Sequence, residues 1–446
     1  MQPYSPERRT ALVFCGTGAH GVYHAGVLRA LQEAGVKIDV MAGQGVGASA
    51  AALGAIDGAA RLWDADGVWG GAQPSTFYRW RWPLRAAAWL AASACGLVLV
   101  SLLLSWAGIP AYSVVFLMLA TAAVAGVLVM LGAGAAIEGR GGPARRRAAG
   151  GAWWRLLGAP IDAGTIRGCV GAAIWQLVRG AEPMDRPDAR TLGRRYADVL
   201  AENLGQPGFR ELMLVASDLD ARRDLVAAML REPFRREMMA SRPDRDRRSD
   251  LLDLAGAGRE HAFDVVAAGL VPPLGCDAQM TTFAPDGYWR GETHRLCDRP
   301  GAVSRLLEEL AAAGVTQAVI VSAVAATPAP HRLTIPRLEV RHRLGEFLAA
   351  AESAALRDAM EMARLQFDSV YLIAPGHNPI GPFDFTGAYD EASDRRQDLR
   401  EQMERAYEDA YRQFIEPVVG ASGEHLARAT PAAAADPYPG ILEDGA

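Results

Sequence analysis

Lysine is nearly absent: Lys37 is the only one in 446 residues, and arginine carries the rest of the positive charge. That skew reflects coding composition and excludes no function. Cysteine is scarce and scattered. Cys15, Cys95, Cys169, Cys276 and Cys297 are odd in number and have no C-x-x-C spacing, which argues against a metal site and for a reducing compartment. The opening residues, MQPYSPERRT, lack the apolar core of a signal peptide, so the soluble part of the chain is expected in the cytoplasm. There is no excess of positive charge either. The net charge of −5 gives nucleic acid no global hold. No internal repeat is visible, and no cofactor is implied.

The largest absence is local. Residues 86–137 contain no charged side chain at all, in a chain that is 22% charged overall. Such a stretch holds two helices of about 20 residues each, the length that spans a bilayer's hydrocarbon core. Gly108-Ile109-Pro110 breaks it near the middle, with Trp106 and Tyr112 at the break. We read a transmembrane hairpin over 86–107 and 111–132. The other readings are a buried hairpin in a soluble core and a shallow re-entrant hairpin. Before it, STFYRWRWPLR interleaves aromatics with Arg79, Arg81 and Arg85; after it come Arg140, Arg145, Arg146, Arg147 and Arg155, with Trp153 and Trp154. Basic flanks and an uncharged tip place both ends of a hairpin in the cytoplasm, where the arginines can also meet anionic lipid headgroups.

What is present is concentrated in residues 11–50. A short apolar run ends at Gly16-Thr17-Gly18-Ala19-His20-Gly21, and Val22, Ala25, Leu28 and Leu31 then recur at helical spacing. A loop of this kind aims backbone N–H groups and a helix N-terminus at one point, which suits an anion. A second strand, 38–42, runs into Gly43-Gln44-Gly45-Val46-Gly47 and a small-residue helix containing Ser49. This is the outline of the nucleophile elbow G-x-S-x-G, with Gly45 where the serine should be. The outer glycines are expected because side chains there would collide with the neighbouring strand and helix.

On these two glycine loops the chain resembles the patatin-like phospholipases. The resemblance implies an α/β, patatin-like three-layer fold with a mostly parallel central sheet, here interrupted by the transmembrane helical hairpin. It also implies a lipid acyl hydrolase with a Ser/Asp dyad and no catalytic histidine. Gly16, Thr17, Gly18, His20 and Gly21 fall on the oxyanion loop, with Thr17 in place of a glycine and His20 in place of a basic residue. Gly45 falls on the nucleophile. The first loop also satisfies G-x-G-x-x-G, with Asp39 near where a dinucleotide fold wants a carboxylate, but the second glycine elbow is foreign to that fingerprint.

Further on, 161–180 and 191–204 read as helices, 211–218 as a buried strand, and 241–253 as a solvated loop of mixed charge. Residues 265–273, VVAAGLVPP, resemble the helix and proline turn before the family's second catalytic element, a short strand ending in Asp-Gly-Gly or Asp-Gly-Ala. The preferred register puts Arg290 at that Asp; a second register uses Asp286-Gly287-Tyr288, keeping the acid but losing the strand before it. Then come a helix at 301–313, strands at 315–324 and 369–374, and a loop at 375–385 whose His377 reads as structural. An amphipathic helix follows at 391–414, then a disordered tail.

The domain reading is therefore 1–74 and 151–417 for the patatin-like domain, 75–150 for the hairpin with its flanks, and 418–446 for the tail. Gly45 has no nucleophile, and Arg290 stays protonated and cannot act as a base. The expected protein is a two-pass membrane pseudoenzyme whose main domain is cytoplasmic. It would bind membrane lipid, with the glycine loop and Arg290 as its pocket, or scaffold beside a membrane-protein partner or a second copy. The rivals are an acyl hydrolase using Ser49 with Asp286, Glu292 or His20, and a purely structural subunit of a membrane complex.

Overall fold

The computed structural model describes residues 4–138, 159–180, 185–240, 248–285, 287, 289–324, 339–376, 379–390 and 395–422. The strands are β1 (Thr10–Cys15), β2 (Val40–Gln44), β3 (Arg79–Trp80), β4 (Ile161–Asp162), β5 (Glu211–Asp218), β6 (Arg223–Met229), β7 (Ser249–Asp253), β8 (Gln279–Thr282), β9 (Thr293–Cys297), β10 (Gln317–Ser322), β11 (Ser369–Ile373), β12 (Ala388–Asp390) and β13 (Arg395–Gln397). Nine of them form one sheet in the order β11-β10-β1-β2-β5-β6-β7, with β9 also on β5 and β8 on β9. From β11 to β5 all neighbours run parallel; β6 turns back antiparallel on β5.

The parallel strands read as unbroken apolar runs because both faces are covered. Successive side chains point to opposite faces. Leu12, Phe14, Met41, Leu212 and Leu214 join one core, with α1 (Gly21–Glu33) and α2 (Gly47–Ala55) against it. Ala11, Val13, Val40, Ala42, Met213 and Val215 join the other, under the helices Val303–Ala312 and Val340–Gln366. Helix, sheet, helix is the three-layer arrangement expected.

Differences in detail have local causes. Residues 249–253 form β7, the edge strand, so only part of the supposed charged loop is a loop: Ser249 and Asp250 are buried, and Ser249 hydrogen-bonds Glu309. The helix expected from 161 begins at Gly164, because Ile161 and Asp162 pair with β3. The amphipathic helix begins at Leu399, capped by Asp398, since 395–397 belong to a β-hairpin. The helix Val340–Gln366 has no counterpart in the sequence reading. Arg140, Arg145–Arg147, Trp153, Trp154, Arg155, Asp286, His377 and residues 423–446 lie outside the described residues, whereas 418–422, expected in the disordered tail, continue the C-terminal helix with Val419 buried in the core.

After a four-residue α3 (Ala60–Trp63), α4 (Trp82–Trp106) and α5 (Pro110–Glu138) form a helical hairpin, turning at Gly108 with φ +79°. Both are long and apolar enough to cross a membrane. Only 17% and 6% of their apolar windows are buried, so neither is a core helix of the domain. The two helices pack on each other, and the Ser101 hydroxyl lies 2.9 Å from the Ser113 carbonyl oxygen. Among the described residues, the outward faces carry large exposed hydrophobics: Trp89 is 75% exposed.

Candidate functional site: a closed elbow

β1 and β2 run side by side and end in the two glycine loops, so parallel pairing alone sets the loops against each other. Gly45 follows β2 with φ +62°, the left-handed backbone that an elbow imposes and that only glycine adopts without strain. Gly43 and Gly47 have no room for a Cβ, which would stand 2.5 Å from the Gly47 carbonyl oxygen and 2.4 Å from that of Phe14. The elbow is therefore intact as backbone.

What faces it is backbone. The Gly16 carbonyl oxygen accepts the Val46 N–H at 2.8 Å. Val46 follows the nucleophile position, and its N–H is the donor such an elbow would offer to an oxyanion. A Cβ on Gly45 would stand 2.2 Å from the same carbonyl oxygen. The Ala19 N–H donates to the Pro382 carbonyl at 2.8 Å, and the Thr17 N–H to His20 Nδ1 at 3.2 Å. These donors of the glycine loop are consumed inside the protein. Behind the loop the cavity bounded by Gly16, Gln44, Ser322 and Glu352 measures about 10 Å³, room for one water at most.

A buried polar cluster fills the rest. Asp298, just after β9, receives the Thr17 hydroxyl on Oδ2 at 2.8 Å and the Gln44 amide on Oδ1. Glu352, from the helix Val340–Gln366, approaches the same Thr17 hydroxyl with Oε1 and lies 3.1 Å from His20 Nδ1 with Oε2. One hydroxyl has one proton. Thr17 can bond both carboxyls only if one of them is protonated. Burial, and after it the neighbouring Glu352, pushes the Asp298 carboxyl up to about 7, against the lowering effect of its hydrogen bonds from Thr17, Gln44 and the Arg299 backbone. Burial likewise pushes the neighbouring His24 imidazole down to about 3, so it stays neutral.

The structure thus brings Gly16, Thr17, Gly18 and His20 together around Gly45, while Gly21 opens α1 against the Trp69 ring. It does not bring Arg290 there. Residues 289–292 are the turn of the β8–β9 hairpin rather than a strand, and Arg290 is an exposed turn residue with φ +44°. The strand that ends in an acid is β9. Its pairing with β5, Cys297 opposite Ser217, delivers Asp298 to the elbow, with Oδ2 2.9 Å from the Gly45 Cβ position. Asp298, and not the expected Arg290, is therefore the charged residue that the structure brings to the elbow. Glu292 is 67% exposed and meets His294 at 3.3 Å, away from the elbow. Ser49 is buried inside α2, where its hydroxyl donates to the Val46 carbonyl at 2.7 Å.

Sequence reasoning missed Asp298, Gln44 and Glu352. The first had a readable signal: the alternating strand THRLC, then Asp, then Pro300-Gly301. Glu352 had none, being one acid among many on a charged helix.

Residues 12–92 match the family model for patatin-like phospholipase. No curated protein matches. Among solved structures, VipD from Legionella pneumophila is similar at 13% identity, over 93% of this chain and 67% of that one, with a TM-score of 0.31. The type III effector protein ExoU is similar at 17% identity, over 81% of this chain, with a TM-score of 0.24. This chain spans 54% of ExoU's length. Likenesses this loose carry nothing about activity.

Proposed function

We propose, from the premise that this chain carries a patatin-like phospholipase domain, that it is a membrane-anchored pseudoenzyme. The domain no longer cleaves lipid esters and serves as a scaffold held at the bilayer by the hairpin of α4 and α5. One observation carries the reading: the place of the nucleophile is Gly45, and the Gly16 carbonyl oxygen occupies the space a side chain there would need. Covalent acyl transfer needs an oxygen or sulfur nucleophile at that point. It also needs free N–H donors facing it. Position 45 supplies no side chain, and the Val46 and Ala19 N–H groups are already bonded within the protein.

The bare apolar surface of the hairpin supports the anchoring. Contiguous exposed apolar area on this scale is a membrane or partner surface rather than ordinary protein exterior. The closed cavity argues against holding a lipid in the old active site, so the expected lipid pocket of glycine loop and Arg290 is given up. Because arginines flank both ends of the hairpin and its tip is uncharged, the reading places the main domain in the cytoplasm, with a membrane protein or a second copy as its partner.

The test is release of labelled fatty acid from mixed phospholipid vesicles by the full-length protein, alongside sedimentation of the same protein with the vesicles. Membrane association without turnover is the expected result. Turnover above a heat-inactivated control would overturn the pseudoenzyme, and a protein left in the supernatant would overturn the anchoring.

A further inference from the structure

Where the chain enters the hairpin, β3 and the first turn of α4 form one wall of an open cleft of about 480 Å³, and Asp162 and Thr165 form the other. Three arginines line it against one carboxylate. Arg81 is already ion-paired with Asp277, and Asp162 accepts the Gly164 N–H at 2.7 Å. Arg79 and Arg85 make no ion pair among the described residues, although Asp162 stands opposite Arg79 across the ribbon, which leaves the cleft with an excess of positive charge. Arg85 lies in the first turn of α4, and its N–H donates at 3.1 Å to the carbonyl oxygen of Arg81, the residue just before the helix. Trp82, 65% exposed, stands on the cleft's rim, and Trp89, 75% exposed, follows two turns along the helix. The ribbon holding Arg79 is fixed in place: Trp80 pairs with Ile161, and its indole N–H points at Glu339 at 3.4 Å.

We infer that this cleft binds the phosphate headgroup of an anionic phospholipid, which makes it, and not the former active site, the domain's lipid site. The inference rests on the anchoring proposed above. If α4 enters the bilayer, exposed tryptophans on its first turns sit at the interface, and the arginines beside them sit at headgroup depth. The excess of positive charge in the cleft favours a headgroup with net negative charge. A zwitterionic headgroup brings its own cation to the same spot and gains less. Arginine forks also match phosphate oxygens in shape.

The experiment uses full-length protein in mixed micelles of phosphatidylcholine with a minor fraction of phosphatidylglycerol, followed by lipid extraction and counting of phosphatidylglycerol per protein. The wild type should retain it above its bulk fraction. Arg79→Gln with Arg85→Gln should lose that enrichment by about fivefold per arginine, the effect of one basic residue at an anionic surface. Arg79→Lys with Arg85→Lys should keep most of it. Equal retention by the glutamine variant would overturn the inference, because the enrichment would then come from other arginines. Arginine-dependent binding of inorganic phosphate without a preference for phosphatidylglycerol would assign the cleft to a soluble anion, and overturns it as well. Protein that never enters the micelles defeats the anchoring; protein that enters without enrichment defeats only the headgroup site.

Discussion

Asp298 faces Gly45, its Oδ2 only 2.9 Å from the point where a Cβ on the glycine would stand. A carboxyl thus faces a position whose side-chain space is filled by backbone. Placing a serine at 45 should therefore not create a hydrolase. Gly45→Ser puts a side chain at φ +62° and 2.2 Å from the Gly16 carbonyl oxygen. The backbone strain alone costs on the order of 1–3 kcal/mol. We expect a lowered melting temperature and fatty-acid release no higher than wild type. Robust hydrolysis by this variant would mean that the glycine loop swings aside easily.

The carboxyl cluster predicts a pH dependence of stability. Asp298 titrates near 7 in the folded protein and near 3.8 when exposed, so the folded state binds the extra proton between those values. Its contribution is complete below about pH 4 and is lost as pH rises toward 7, a change of a few kcal/mol at most. Melting temperature of the detergent-solubilised protein against pH should show that decline. Asp298→Asn, which mimics the protonated acid, should flatten it; an unchanged slope would place the proton elsewhere.

Ser49→Ala separates the remaining hydrolase reading from ours. The Ser49 hydroxyl bonds back to its own helix at the Val46 carbonyl, so its loss should cost about 1 kcal/mol or less. Any trace of lipid hydrolysis should be identical in the variant. A fall to background would identify Ser49 as a nucleophile.

Membrane association should depend on the bare face of the hairpin. Leu99 in α4 is 60% exposed, and Leu99→Arg should disfavour insertion by about 3 kcal/mol, moving protein from the vesicle fraction to the supernatant. Leu365→Arg is the control. That leucine is 89% exposed on the helix Val340–Gln366 and should tolerate the charge without redistribution.

The N-terminal half of the site was legible because its signals are local. Parallel buried strands are apolar runs, and glycines mark both turns, so the two loops and the missing serine could be read within forty residues. Asp298 was harder, since the family pattern looked for Asp-Gly and the chain has Asp298-Arg299-Pro300. Arg290 drew the register to a hairpin turn that carries similar residues. Glu352 reaches Thr17 across a sequence separation of 335, and no periodicity reports such a contact. The edge strand β7 was hidden for another reason: it is short and carries Asp250 and Asp253, so its pairing with β6 outweighs its composition.

The two-residue pairing of β3 with β4, Arg79 opposite Asp162 and Trp80 opposite Ile161, means that the chain leaves the domain and returns to it through a single doorway. The two ends of the intervening stretch are thus held side by side, and the entropy of closing a loop grows only logarithmically with its length. The hairpin is then a cassette. A short turn joining Trp80 to Ile161 should release a water-soluble domain with its sheet unchanged, and the same doorway could accept a different anchor. The hairpin and the fold that carries it are then separable inheritances.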